Sequence, residues 1–190
     1  MDGPLDMALT YNPKANLGES LPSFLIKDVF GKEHDLQSLA QGKVFCLMFI
    51  CNHCPYVKAI EDRLIELAHA YREKGAQFAG VCSNDPTDHP EDTVENLKKR
   101  AEEKNYGFPY LVDESQEVAQ KIGAVCTPDL FLYDKDSKLF YRGRLDDSWR
   151  NPSQVKSQDL KMAIDAALSG MAAPKEQIPS MGCSIKWKEG

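Results

Sequence analysis

Lys43-Val44-Phe45-Cys46-Leu47-Met48-Phe49-Ile50-Cys51-Asn52-His53-Cys54-Pro55-Tyr56-Val57 is the stretch whose reading decides the fold. Residues 43–50 form a nearly continuous apolar run, the pattern of a strand buried on both faces of a sheet. Beyond it Val57, Ile60, Leu64, Leu67 and Tyr71 recur at alternating spacings of three and four, which places them on one helical face, and Gly75 offers a stop. The two cysteines of Cys51-Asn52-His53-Cys54 therefore fall at a strand-to-helix junction.

Working outward, the strand-helix pattern repeats. A strand over 77–82 leads through Asn84-Asp85-Pro86 and Pro90 to a helix over 91–105 with Val94, Leu97 and Ala101 inward. A short strand at 108–112 follows, then a short helix capped by Ser115 and ended at Gly123. Segments 129–134 and 139–144 flank Lys135-Asp136-Ser137 as a hairpin, and a last helix covers 158–168. On the N-terminal side Ser23-Phe24-Leu25-Ile26 reads as a strand that turns near Gly31 and pairs with one ending at His34, after which Asp35 caps a helix over 36–40. This order predicts an α/β fold with a mixed central sheet and helices on both faces. The expected organisation is an irregular N-terminal arm over 1–20, one domain over 21–170 and a non-periodic tail over 171–190 containing Pro174, Pro179 and Gly182.

Composition narrows the function classes. The chain has 23 basic and 29 acidic residues, a formal charge of -6, and its basic run Lys98-Lys99-Arg100 is bracketed by Glu95, Glu102 and Glu103, which disfavours nucleic-acid binding. No window reaches the roughly 18 uninterrupted apolar residues of a membrane span. Met1-Asp2-Gly3-Pro4-Leu5-Asp6 has neither a positive start nor an apolar core, so the expected location is cytoplasmic. In a reducing compartment, the six cysteines at 46, 51, 54, 82, 126 and 183 point to catalysis or metal rather than to stapling.

Two cysteines separated by two residues at a helix start can close a small disulfide while occupying different environments. Cys51, facing the helix N-terminus, is expected to be the nucleophile with a depressed pKa, since an unperturbed thiol near ~8.5 is only a few per cent ionised at neutral pH. Cys54, one turn further in, is expected to resolve the mixed disulfide. The rival reading, half of a zinc site, needs a second pair, and no other Cys-x-x-Cys occurs. No metal or cofactor is expected.

Apolar strand, Cys-x-x-Cys at a helix start, and Thr127-Pro128 ahead of Asp129-Leu130-Phe131-Leu132-Tyr133-Asp134 together resemble the thioredoxin-like superfamily. The similarity spans residues 20–170 and is closest to the redoxin or peroxiredoxin-like, AhpC/TSA-related branch, which adds an N-terminal hairpin and often a C-terminal extension. The resemblance implies a cis Pro128 facing the cysteine pair and a Thr127 backbone that holds an incoming substrate chain. His53, directly before the second cysteine, is similar to the His of disulfide isomerases and bacterial disulfide oxidases. An imidazole there stabilises a Cys51 thiolate and makes the pair a better oxidant. The implied function is a thiol-disulfide oxidoreductase, with protein or small-molecule disulfides as substrates and a thiol electron donor.

Two alternatives remain beside it. A thiol peroxidase of the peroxiredoxin kind uses Pro-x-x-x-Thr-x-x-Cys, and this chain departs from that pattern. With Cys54 as the peroxidatic residue the Thr and Pro positions hold Cys51 and Leu47; with Cys51 they hold Met48 and Val44. The arginine of that family's Arg-Gly-Leu-Phe is replaced by Pro128, leaving Arg142 and Arg144 as substitutes on a hairpin expected to be solvated. A copper- or zinc-binding protein of the same fold would use a longer cysteine spacing and a remote histidine, for which His89 is a weak candidate. Disulfides thus rank ahead of peroxides. Of the other thiols, Cys46 and Cys126 read as packed, Cys82 as ambiguous, and Cys183 as a candidate resolving thiol in a tail that can also dock through Ile185 and Trp187.

Overall fold

The structure is a computed structural model that describes residues 9–11, 13 and 15–190. A five-stranded sheet runs in the order β6-β5-β4-β8-β9, formed by β4 (Val44–Phe49), β5 (Ala76–Cys82), β6 (Tyr110–Val112), β8 (Asp129–Tyr133) and β9 (Leu139–Gly143). The central strand β4 lies parallel to β5 and antiparallel to β8, and all its side chains are buried, as the uninterrupted apolar run requires.

Alternation along β4 assigns the helices to their layers. Cys46 and Met48 face α2 (Pro55–Arg72), α3 (Val94–Glu103) and α5 (Asp159–Leu168) through Val57, Ile60, Leu64, Leu97, Leu160 and Ile164. Phe45, Leu47 and Phe49 face α1 (Leu36–Ala40) and α4 (Glu117–Ile122). The hairpin of β2 (Leu25–Lys27) and β3 (Glu33–Asp35) stands apart as its own two-stranded sheet, and Asp35 accepts hydrogen bonds from the Gln37 and Ser38 N–H groups to cap α1.

Several expectations change. Of the arm over 1–20, residues 1–8, 12 and 14 lie outside the described residues, while β1 (Leu9–Tyr11) is extended because the tail supplies it with a partner. The tail is not irregular throughout: β10 (Met181–Ser184) lies between β1 and β7 (Cys126–Thr127) in a three-stranded sheet. The helix expected from residue 91 begins at Val94, after a separate tight turn over Pro90–Asp92. Val94 is exposed and lines a surface cavity of about 300 Å³ with Val112 and Asp113, whereas Leu97 and Ala101 do enter the core. Helix α4 is capped by Asp113, which accepts the Val118 and Ala119 N–H groups at 3.2 and 2.9 Å. Ser115 reaches only Glu117, at 3.4 Å. Arg142 is buried rather than solvated, because Asp129, fully buried on the neighbouring strand, demands a counter-charge.

Candidate active site

Cys51 and Cys54 occupy the link from β4 to α2. Cys54 is the N-cap residue of α2 and Pro55 its first helical residue, a position where the missing N–H is not needed. Opposite them, the Thr127–Pro128 bond between β7 and β8 is cis. Thr127 touches both sulfurs, with Oγ1 3.4 Å from Cys51 Sγ and its carbonyl oxygen 3.2 Å from Cys54 Sγ. Cys183, on β10, brings a third sulfur to 3.1 Å from Cys54 Sγ. The three cysteines are 2%, 0% and 1% exposed, so the docked tail roofs the pair.

Asp92 organises the segment between the cysteines, a role the sequence did not reveal. One carboxylate oxygen accepts the Asn52 and His53 backbone N–H groups at 2.7 and 3.3 Å. The other accepts His53 Nδ1–H at 2.5 Å and the Asn84 amide at 2.9 Å. The Asn52 side chain ties the loop to the Glu91 and Asn96 carbonyls, both at 3.0 Å. Burial pushes the Asp92 carboxyl up, but the hydrogen bonds from His53, Asn84 and Asn52 outweigh it and hold the group below the usual carboxylate value. With Nδ1–H committed to Asp92, His53 presents Nε2 as its proton-accepting atom; Nε2 is buried without a hydrogen-bond partner among the described residues. The imidazole ring stacks on His89 at 4.0 Å between centroids.

The expectation that the helix start depresses Cys51 is corrected. Cys54 is the cap residue, and of the first-turn N–H groups it is the Val57 N–H that acts on its sulfur. Hydrogen bonds from the Cys183 and Cys51 thiols, together with the Val57 and Cys183 N–H groups, hold Cys54 well below an ordinary thiol. Burial, the hydrogen bond to Cys54 and the nearby Asp92 charge push Cys51 up. Cys183 is also raised, first by its hydrogen bond to Cys54 and then by burial. Of the three sulfurs Cys54 is thus the one whose surroundings favour a thiolate, and a proton passing from Cys51 to Cys54 across their hydrogen bond places the charge on Cys51.

Ligand-type atoms of Cys51, His53 and Asp92 lie within 4.8 Å of one another. Asp92 already accepts four hydrogen bonds, so this trio is built as a hydrogen-bonded support for the loop rather than as an open coordination sphere. The arginines are likewise engaged elsewhere. Arg142 holds Asp129 at 2.7 and 3.2 Å and the Gly123 carbonyl at 2.9 Å, and Arg144 pairs with Asp159 at 2.7 Å. Cys46, Cys82 and Cys126 are buried thiols pushed up by desolvation.

Fold and site together define a thiol-disulfide oxidoreductase of thioredoxin-like architecture. The chain belongs to the AhpC/TSA family, whose model matches residues 17–142. Thiol-disulfide oxidoreductase ResA of Bacillus thuringiensis subsp. konkukian is 28% identical over 130 residues, covering 68% of this chain and 70% of ResA. A crystal structure of an uncharacterized conserved protein from Geobacillus kaustophilus is 44% identical with a TM-score of 0.92, covering 98% of this chain and 100% of that one. A hypothetical protein from Sinorhizobium meliloti 1021 is 38% identical with a TM-score of 0.91, covering 95% and 100%.

Proposed function

We propose that Cys51 and Cys54 form a dithiol–disulfide couple that exchanges with disulfides of proteins or small molecules and is reset by a thiol donor. The observation that carries this reading is that Thr127, ahead of the cis proline, contacts both sulfurs at the start of α2. Cys51, having passed its proton to Cys54, attacks a substrate sulfur; the Cys51–substrate bond forms as the substrate disulfide breaks. Cys54 then attacks Cys51 Sγ, the mixed disulfide breaks, and the departing substrate thiolate takes the remaining proton. The substrate thiolate released in the first attack is protonated by water, so two substrate thiols and a Cys51–Cys54 disulfide result. Trapping tests the assignment: Cys54→Ser with disulfide-bonded insulin should accumulate a mixed disulfide on Cys51, visible on a non-reducing gel. Accumulation on Cys54 in a Cys51→Ser variant alone would reverse the roles, and no adduct in either would end the reading.

His53 and Asp92 act on the couple with opposite signs. By donating Nδ1–H to Asp92, the imidazole screens the carboxylate's charge from a Cys51 thiolate, whereas the Asp92 carboxylate itself opposes that thiolate. We expect His53→Pro to lower the reduction potential and Asp92→Asn to raise it, each by on the order of tens of millivolts, in equilibrium with glutathione. Shifts of the same sign in both variants would contradict this account. The geometry favours disulfides over peroxides, since both arginines suited to hold a peroxide are committed to Asp129 and Asp159. A cytoplasmic setting is part of the same proposal; fractionation of cells with an antibody to the chain tests it, and recovery in a membrane or extracellular fraction would overturn it.

A further inference from the structure

The tail is docked on the edge where an incoming substrate chain would pair. Strand β10 runs antiparallel to β7 with Cys183 opposite Thr127 and Ser184 opposite Cys126, while β1 closes its other side. Chains that add a strand to an exposed sheet edge are held by main-chain hydrogen bonds and positioned by alternate side chains, and β10 does this within the molecule. Gly182 is what allows the approach: a Cβ there would sit 1.9 Å from the Thr127 carbonyl oxygen. Beyond Cys183 the tail is clamped. The Ile185 N–H donates to the Val125 carbonyl at 3.0 Å, the Lys186 N–H to Asn84 Oδ1 at 2.9 Å, and Gln116 holds both the Lys186 carbonyl and the Lys188 N–H at 2.9 Å. Residues 181–184 also lie outside the 17–142 segment matched by the family model.

We propose that Cys183 is a third redox thiol and that β10 is a built-in substrate strand whose exchange partner is Cys54. The proposal rests on the reading of Cys51 and Cys54 as a redox couple. Once substrate turnover has produced the Cys51–Cys54 disulfide, the Cys183 thiolate attacks Cys54 Sγ. The Cys54–Cys183 bond forms, the Cys51–Cys54 bond breaks, and Cys51 leaves as a thiolate that takes up the proton Cys183 gave away. The step is an exchange with no net oxidation. At 3.1 Å the two sulfurs need close by only about 1 Å to reach bonding distance. Its product fastens the tail covalently over the site and returns Cys51 to its thiol form.

Disulfide mapping tests the relay. The reduced full chain is oxidised with glutathione disulfide, quenched in acid, alkylated and digested without reductant. The expected result is a linked pair of peptides carrying Cys54 and Cys183, with Cys51 alkylated. Cys51→Ser, which lacks the first nucleophile and so never forms the Cys51–Cys54 disulfide, should not acquire that link. Gly182→Val, which forces β10 off the Thr127 carbonyl, should reduce it at least about tenfold in favour of Cys51–Cys54. A Cys51–Cys54 link in wild type with Cys183 alkylated would overturn the relay while leaving the couple intact. Failure of the couple itself is distinguishable, because the insulin trap would then give no adduct in either single variant.

Discussion

Replacing Cys51 with serine should reduce exchange with a small disulfide by at least about a thousandfold, while replacing Cys54 should abolish turnover but leave one stoichiometric attack. The asymmetry follows from the order of the two steps. A hydroxyl at 51 is not ionised in the accessible pH range and offers no nucleophile, so the first bond never forms. With serine at 54, Cys51 still attacks, although it loses the sulfur that accepts its proton, and the mixed disulfide then persists. Single-turnover kinetics with a chromogenic disulfide separate these outcomes: a burst of one equivalent is expected for Cys54→Ser and none for Cys51→Ser. The pH dependence carries the same information. Because burial and Asp92 raise the Cys51 thiol, the rate of the first step in Cys54→Ser should climb with pH through the ordinary thiol range and beyond it, without levelling near neutrality. Equal bursts in the two variants would show that either sulfur attacks and would remove the assigned order.

Local pattern accounts for what could be read before the structure. The run from Val44 to Phe49 is apolar at every position because both faces of β4 are covered, and the three-and-four spacing after Pro55 survives intact in α2, where Val57, Ile60, Leu64 and Tyr71 are buried. The cysteine spacing and the cis Thr127–Pro128 bond are motif-scale features, so the resemblance reached them. What escaped was long-range. Asp92 sits 39 residues from His53, in a stretch where an acidic residue ahead of a helix has a local explanation in the helix dipole, which hides its role as the hub of the loop. Tail residues 181–184 have no alternating pattern to announce a strand, because Gly182 is selected by the closeness of the Thr127 backbone, not by propensity. The burial of Arg142 depends on Asp129, 13 residues earlier on the paired strand, and a hairpin read alone does not distinguish its solvated face from its covered one.

The Asp129–Arg142 pair is therefore where a single change should cost the most stability. Asp129 directly follows Pro128 and pairs in register with Phe49, so it anchors the loop that carries Thr127 against the end of β4. Burial raises its carboxyl to about 6, against the opposing pull of Arg142, whose guanidinium also lies 4.4 Å from the Phe131 ring centroid. Arg142→Met keeps much of the volume over Phe131 but leaves a buried carboxylate without its partner, and should destabilise the protein by about 3–5 kcal/mol at neutral pH. The sign of the pH effect is fixed by the direction of the shift. A carboxyl whose folded value lies above its unfolded one contributes stability below the unfolded value near 3.8 and loses it as pH rises through about 6. Losing Arg142 moves the folded value higher still, so the deficit of the variant should be smaller at pH 5 than at pH 8, where an ionised Asp129 lacks its counter-charge. Urea unfolding at the two pH values measures it, and a deficit equal at both would locate the damage in packing over Phe131 rather than in the buried charge. Asp129→Asn combined with Arg142→Met should recover part of the loss at pH 8, because an amide in place of the carboxylate leaves no ion in the core.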